Sequence, residues 1–395
     1  MNHPANPGII SRLAGAPAWT IALLCAWGLL TNWAIVRTWN IHMWSGVQDF
    51  TVLYGGGRLA GTSSLYSHSA LRAVEHELLG TDSEDFPYVR LPAVALAWKP
   101  LTFIPYQPAL VLWKVMTVIG FISVAWLLPF PGRRTTFVAV AVSFGACDAL
   151  LFGQDVWLTA LALAAFVRLS DRGRDGPAGF FLGLAVTLKY HLFPLAILTL
   201  LLNRKWRTLS AAALVFGGAI VVSRLVQGPS WPGDYLRALA NTGAPHEYMP
   251  NVAGLAATLG LGVRGYLAIA CAAAIAVVVI ARQSSTQFAF GIAVFAGILI
   301  APHGYAYDYS LFIPALLPLA AKHPWFESHC TWWLMPFPLA AMAVGYGLPG
   351  QILIVLAGAA TLYAAAQFST RRESATAASP RNRSEIAGPR LAQPA

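Results

Sequence analysis

Apolar runs long enough to cross a bilayer recur along most of this chain. The first, Ala18 to Val36, holds 19 residues without a charge. At about 1.5 Å per residue it covers roughly 30 Å of hydrocarbon. Further apolar runs lie at 91–104, 106–129, 135–152, 154–169, 177–202, 208–226, 264–281, 285–301, 307–321, 331–347 and 349–368. Charged residues are only 11% of the chain, against about 25% in a soluble domain, so they cannot cover a water-facing surface. Aromatic residues at 12% exclude an unfolded chain. The reading is a polytopic, all-α integral membrane protein.

The net charge of +10 would raise nucleic acid as a partner for a soluble chain. In a membrane protein the same excess marks loops that resist translocation, and no nucleic-acid partner is expected. Cys25, Cys147, Cys271 and Cys330 show no CxxC or His-paired spacing, so neither a disulfide framework nor a metal site is implied. The run after Ala18 is followed by Arg37-Thr38-Trp39 rather than a small-x-small cleavage site, which predicts an uncleaved first helix.

Charge sets the orientation. Arg12, Arg133/Arg134, Arg168 to Arg174, Arg204 to Arg207, Arg282, Lys322 and the Arg-rich tail hold most of the 26 basic residues and few of the 16 acids. All are expected on the cytoplasmic side, with both termini. Parity then demotes 91–104, which is short and broken at Lys99-Pro100, to a juxtamembrane helix in a long first external loop, 40–105. The run 177–202 has basic flanks on both sides and too few residues for two full crossings. It predicts two short helices meeting within the membrane at Lys189-Tyr190-His191, where irregular backbone must line a polar cavity. Counting that pair as two gives about twelve membrane helices in one domain over 1–370. A second external loop is expected at 227–263, and a disordered cytoplasmic tail at 371–395.

Ionisable groups in or beside spans are candidates for function. Lys189 lies in the middle of its run, about twelve residues from either end, too deep for easy snorkelling, and could bind a phosphate in a membrane cavity. Asp49 follows the first helix and could be a solvated carboxylate, a helix cap or a site residue. His303, Tyr307 and Asp308 stand in Pro302-His303-Gly304-Tyr305-Ala306-Tyr307-Asp308-Tyr309, which suits a sugar or phosphate site or an interfacial aromatic belt. Gln154 and Asp155 occupy another turn assigned outside. All but Lys189 fall at the external face, and Lys189 points toward it. No GxxxxGK[ST], HExxH, GxSxG or DxD spacing occurs, so a P-loop ATPase and a metal-bound nucleotide-sugar site are not expected.

Several segments together resemble glycosyltransferase family 87, polytopic enzymes of the GT-C fold. They are Asp49-Phe50 with Tyr54, Gly61 and Tyr66, then Phe86-Pro87-Tyr88 and Leu91-Pro92, Pro100-Leu101 with Pro105, and Trp113. Gly153-Gln154, Ala178-Gly179 to Lys189, and Arg204-Lys205-Trp206-Arg207 follow, then Asn251 to Leu255, Pro302-His303 and Tyr307-Asp308-Tyr309. The likeness covers roughly 45–320. Arg90 departs from it, standing where the family usually has a proline.

The resemblance implies a GT-C-type bundle and a polyprenyl-phosphate sugar donor, most often of mannose. It implies a glycolipid or glycan acceptor at the external face of a plasma (inner) membrane, and inverting transfer; no cofactor is expected, no metal ligand is assigned, and whether a metal assists is left open. Asp49 would be the general base, and Lys189 and His303 would hold the donor phosphate. Arg90, Gln154, Asn251, Tyr307 and Asp308 would contact substrate. The rival classes are a multi-spanning transporter or lipid flippase, disfavoured by the absence of an internal repeat and the clustering of polar groups on one face, and a membrane scaffold, which gives Lys189 no role.

Overall fold

The computed structural model describes residues 12–13, 15–38, 49–80, 87–128, 132–240, 246–334 and 347–377. Among the described residues there is no strand. Five of the described helices are long and apolar enough to cross a membrane: α1 (Ala18–Thr38), α5 (Tyr106–Leu127), α11 (Trp206–Gln227), α14 (Gly262–Gln283) and α18 (Leu348–Ala377). α6 (Arg133–Val142) and α7 (Phe144–Phe152) form an apolar pair bent by 60° at Ser143, the geometry of either a broken sixth span or a re-entrant loop.

The expectation of twelve spans is therefore not met by the described helices. The physical reason is that polar turns cut the apolar runs. Gly153-Gln154-Asp155 delays α8 (Val156–Asp171), the run at 285–301 yields only α15 (Thr286–Leu299), and 307–321 opens as a 3-10 turn over Ala306–Leu311 before α16 (Phe312–Lys322). Part of the run 331–347 lies outside the described residues. The run 91–104 forms only α4 (Pro92–Trp98) and a 3-10 turn at Lys99–Phe103, far short of a span. α2 (Asp49–Leu59) and α3 (His68–Leu79) complete the first loop. α12 (Trp231–Ala240) and α13 (Val252–Thr258) stand in the second, and α17 (Glu327–Leu334) precedes the last span. α18 continues to Ala377, past the Arg371 at which a disordered tail was expected to begin. Residues 378–395 lie outside the described ones.

The run 177–202 folds as α9 (Asp175–Lys189), a 3-10 turn at Tyr190–Leu192, and α10 (Pro194–Leu202). Gly179 and Gly183 of α9 lie against Thr208, Ala212 and Val215 of α11 in the same order along both helices, so α9 and α11 run parallel. α10 must then return to the end where α9 began. Lys205 Nζ is 3.9 Å from Asp175 Oδ1 there, and Asn203 is bonded to Ala281 and Thr286. Lys322 Nζ meets Asp171 Oδ1 at the same end, at 2.6 Å. The internal basic clusters thus gather at one end of the bundle, and the tip of the α9–α10 hairpin is carried toward the other.

Candidate active site

Asp49 is the first residue of α2, where a carboxylate also meets the positive end of the helix dipole. Its place is fixed by its neighbour. Phe50 is 1% exposed and its ring packs among Tyr54, Tyr106 and Trp113. Gly153 closes α7 in the left-handed region, φ 67°, and a Cβ there would stand 2.7 Å from the Phe50 Cβ. Both the turn and the close approach require glycine. Trp113 Nε1 donates to the Gly153 carbonyl at 2.7 Å, pinning the turn that presents Gln154 and Asp155.

Those two residues receive Arg90. Its guanidinium donates to Asp155 Oδ1 at 2.8 Å and to Gln154 Oε1 at 3.3 Å, while the Gln154 side chain hydrogen-bonds the Asp49 carboxyl. Burial pushes the Asp49 carboxyl up to about 6. The Gln154 bond and the charges of Lys189 and Arg90 oppose that rise, and Asp155 adds to it. The result is a carboxyl that ionises just below neutral pH, with little energy holding it in either form. Arg90, the departure from the family pattern, is thus a structural centre of the cluster.

The hairpin tip supplies the second cation. Lys189 Nζ lies 2.8 Å from Asp308 Oδ1, both side chains at most 3% exposed, and 4.8 Å from the centroid of the Tyr307 ring. Asp308 Oδ2 accepts from the Tyr305 N–H at 3.1 Å, so both of its oxygens are engaged in holding the 303–309 turn and the lysine. His303 sits beside the His191 ring, centroids 6.2 Å apart. Burial drops it to about 4; Asp308 opposes that fall, while Lys189 and Arg90 deepen it. Its ring is therefore uncharged near neutral pH. Asn251 has partners within the protein. Its Oδ1 caps α13 through Gly254 N–H, and its Nδ2 donates to the Ala301 carbonyl, which ties the second loop to the 301–309 turn.

One residue of the cluster escaped the sequence reading. Asp148, on α7, is 2% exposed. It accepts from the Tyr307 backbone and lies within electrostatic reach of Asp49 and Asp308. Gly145, one turn earlier on the same face, lets the 306–311 turn approach so closely that a Cβ would meet Ser310 N at 2.6 Å. An acid inside an apolar run was the signal.

Asp148 Oδ1, Asp155 Oδ2, Arg90 Nε, Tyr88 Oη and His191 Nε2 are all buried without a hydrogen-bond partner among the described residues. Such orphans are rare, and here they belong to one constellation drawn from six segments. Above it, Tyr190 and Tyr235 hydroxyls bond at 2.6 Å and Tyr66 packs on Tyr235, so both loops meet the hairpin tip.

The sequence model of glycosyltransferase family 87 matches residues 91–302, more than half of the chain. The match takes in Asp148, Gln154, Asp155, Lys189 and Asn251; Asp49, Arg90 and the 303–309 turn lie outside it. No curated protein and no solved structure matches.

Proposed function

Because the chain belongs to glycosyltransferase family 87, and is a membrane glycosyltransferase by that membership, we propose that it moves a hexose, mannose by the family's preference, from a polyprenyl phosphate to an acceptor hydroxyl. The acceptor is a glycolipid or glycan at the external face of the plasma membrane, with the basic end of the bundle cytoplasmic. The bundle over 1–370 acts as one GT-C-type unit. The observation that carries this reading is the meeting of an elevated carboxyl, Asp49, with Arg90 and Lys189 in a buried polar cluster fed by both loops.

The step is an inverting displacement. The acceptor oxygen attacks the anomeric carbon, Asp49 takes its proton, and the bond to the phosphate oxygen breaks with its electron pair leaving on polyprenyl phosphate. A hydroxyl is a weak nucleophile, so a positioned base contributes typically 10²–10⁴-fold. The charge count supports the pairing of this base with this donor. Asp49 goes from anion to neutral acid as the phosphate gains one negative charge, so the total charge of the buried site is unchanged. Arg90 and Lys189, already oriented by Asp155 and Asp308, stabilise the growing phosphate charge. His303 contributes an uncharged N–H. Tyr307 and Asp148 face the sugar, Gln154 aims Asp49, and Asn251 positions the 301–309 turn.

The test is donor dependence. Purified protein in detergent, given radiolabelled polyprenyl-phosphate mannose and a membrane lipid extract, should yield a labelled product and free polyprenyl phosphate. Absence of product with this and other polyprenyl-phosphate hexoses would overturn the assignment of donor class.

A further inference from the structure

At the basic end, away from the cluster around Asp49, a cavity of about 110 Å³ opens between α8, α10, α15 and α16. Its walls are mostly apolar. Phe166 and Phe290, ring centroids 4.4 Å apart, line its deep part, about 7 Å below Asp171 along α8. Its mouth is polar. Lys322 Nζ meets Asp171 and Gln287 there, and Lys205, 40% exposed, lies 3.9 Å from Asp175 Oδ1. Trp206 and Trp325 are partly exposed at the same level, as interfacial tryptophans are, which puts the mouth at headgroup depth. Arg168, Arg172, Arg174, Arg204 and Arg207 surround it in sequence and leave this end with excess positive charge.

We propose that this cavity binds one anionic glycerophospholipid of the bilayer, its phosphate on Lys205 and Lys322 and its glycerol and first methylenes in the cleft above Phe166 and Phe290. Two features together select that class. Lysines at headgroup depth between helices attract anionic headgroups, and an apolar cleft directly beneath them has a use for an amphiphile but none for a free anion. The volume is too small for a whole chain, so the rest of the lipid lies along the outside of the bundle. The site is separate from the cluster at Asp49: α8, 16 residues long, places about 24 Å between its two ends. The inference does not rest on the proposed reaction.

The protein is reconstituted in nanodiscs of equimolar phosphatidylglycerol and phosphatidylcholine with identical chains, released gently, and weighed by native mass spectrometry. One phosphatidylglycerol should remain bound, favoured over phosphatidylcholine by at least about tenfold. Lys205→Gln/Lys322→Gln should reduce the preference to within about twofold; the amide at 322 can still donate to Asp171, which protects the fold. Ser170→Trp, which fills the mouth and keeps both lysines, should abolish retention. Equal retention of the two lipids, or a preference unchanged in both variants, would overturn the proposal. Displacement of the lipid by millimolar inorganic phosphate would also overturn it, because the site would then be one for a small anion.

Discussion

Asp49 sits in an environment that costs folding energy when it ionises, and that cost has a measurable sign. Its carboxyl is raised to about 6 in the folded protein and lies near 3.9 in an unfolded chain. Folding therefore holds an extra proton between those values, and stability falls as pH rises from about 4 through 6. Asp49→Asn removes that penalty. The variant should melt higher than the parent above about pH 6 and at the same temperature near pH 4, as thermal unfolding across pH would show. A melting difference independent of pH would mean that the carboxyl is not raised. The same value predicts that kcat/KM drops about tenfold per unit below about pH 6. Lys189 makes a different prediction. Removing one member of a buried pair costs about 3–5 kcal/mol, so Lys189→Met alone should destabilise the protein. Lys189→Met with Asp308→Asn removes both charges and should restore most of the stability but not the transfer. Recovery of transfer in the double variant would reduce Lys189 to a packing residue.

Elements carry the site by where they stop. The turn after α7 is the clearest case. Gly153→Ala places a side chain in the left-handed region, at about 1–2 kcal/mol, and drives it into Phe50. Melting should fall by that amount or more, and kcat should drop with it, because Phe50 and Gln154 both locate Asp49. A variant that loses stability but keeps kcat would separate the turn from the chemistry. The α9–α10 hairpin was legible in the sequence because basic residues on both flanks leave too few residues for two full crossings, and its tip falls at Lys189-Tyr190-His191. The short helix at 92–98 was legible from Lys99-Pro100. The count of spans was not, because an apolar run does not reveal where a polar turn diverts it, as at Ser143 and at 306–311. Asp49 and Gln154 were legible as polar residues in unusual places, and Arg90 only as a departure from the family pattern. Their mutual bonds were not, since they depend on the Gly153 turn packing on Phe50. Asp148 was passed over because its run otherwise reads as plain core, and the neutrality of His303 depends first on burial, and then on neighbouring cations, that only the folded chain provides.

For the whole molecule, one end of the bundle is basic and the other holds the buried polar cluster, and α8 and α9 run from one to the other. This geometry predicts the sidedness of chemical labelling. In a background lacking the exposed Cys271, a cysteine at the exposed Ser69 of α3 should react with an impermeant thiol reagent from outside intact cells. One at exposed Gly173, beside Arg172 and Arg174, should react only after the membrane is opened. The reverse pattern would turn the molecule over and put the acceptor in the cytoplasm.

The most direct measurement of the central claim is the rate of sugar transfer from polyprenyl-phosphate mannose by Asp49→Asn beside the parent, with donor binding measured separately. Asparagine keeps the shape and a hydrogen-bonding oxygen but cannot accept the acceptor's proton. Donor binding should be unchanged and transfer reduced at least about a hundredfold. Transfer by the variant at more than about a tenth of the parent rate would contradict the account, and the role of base would pass from Asp49 to another carboxylate of the same cluster.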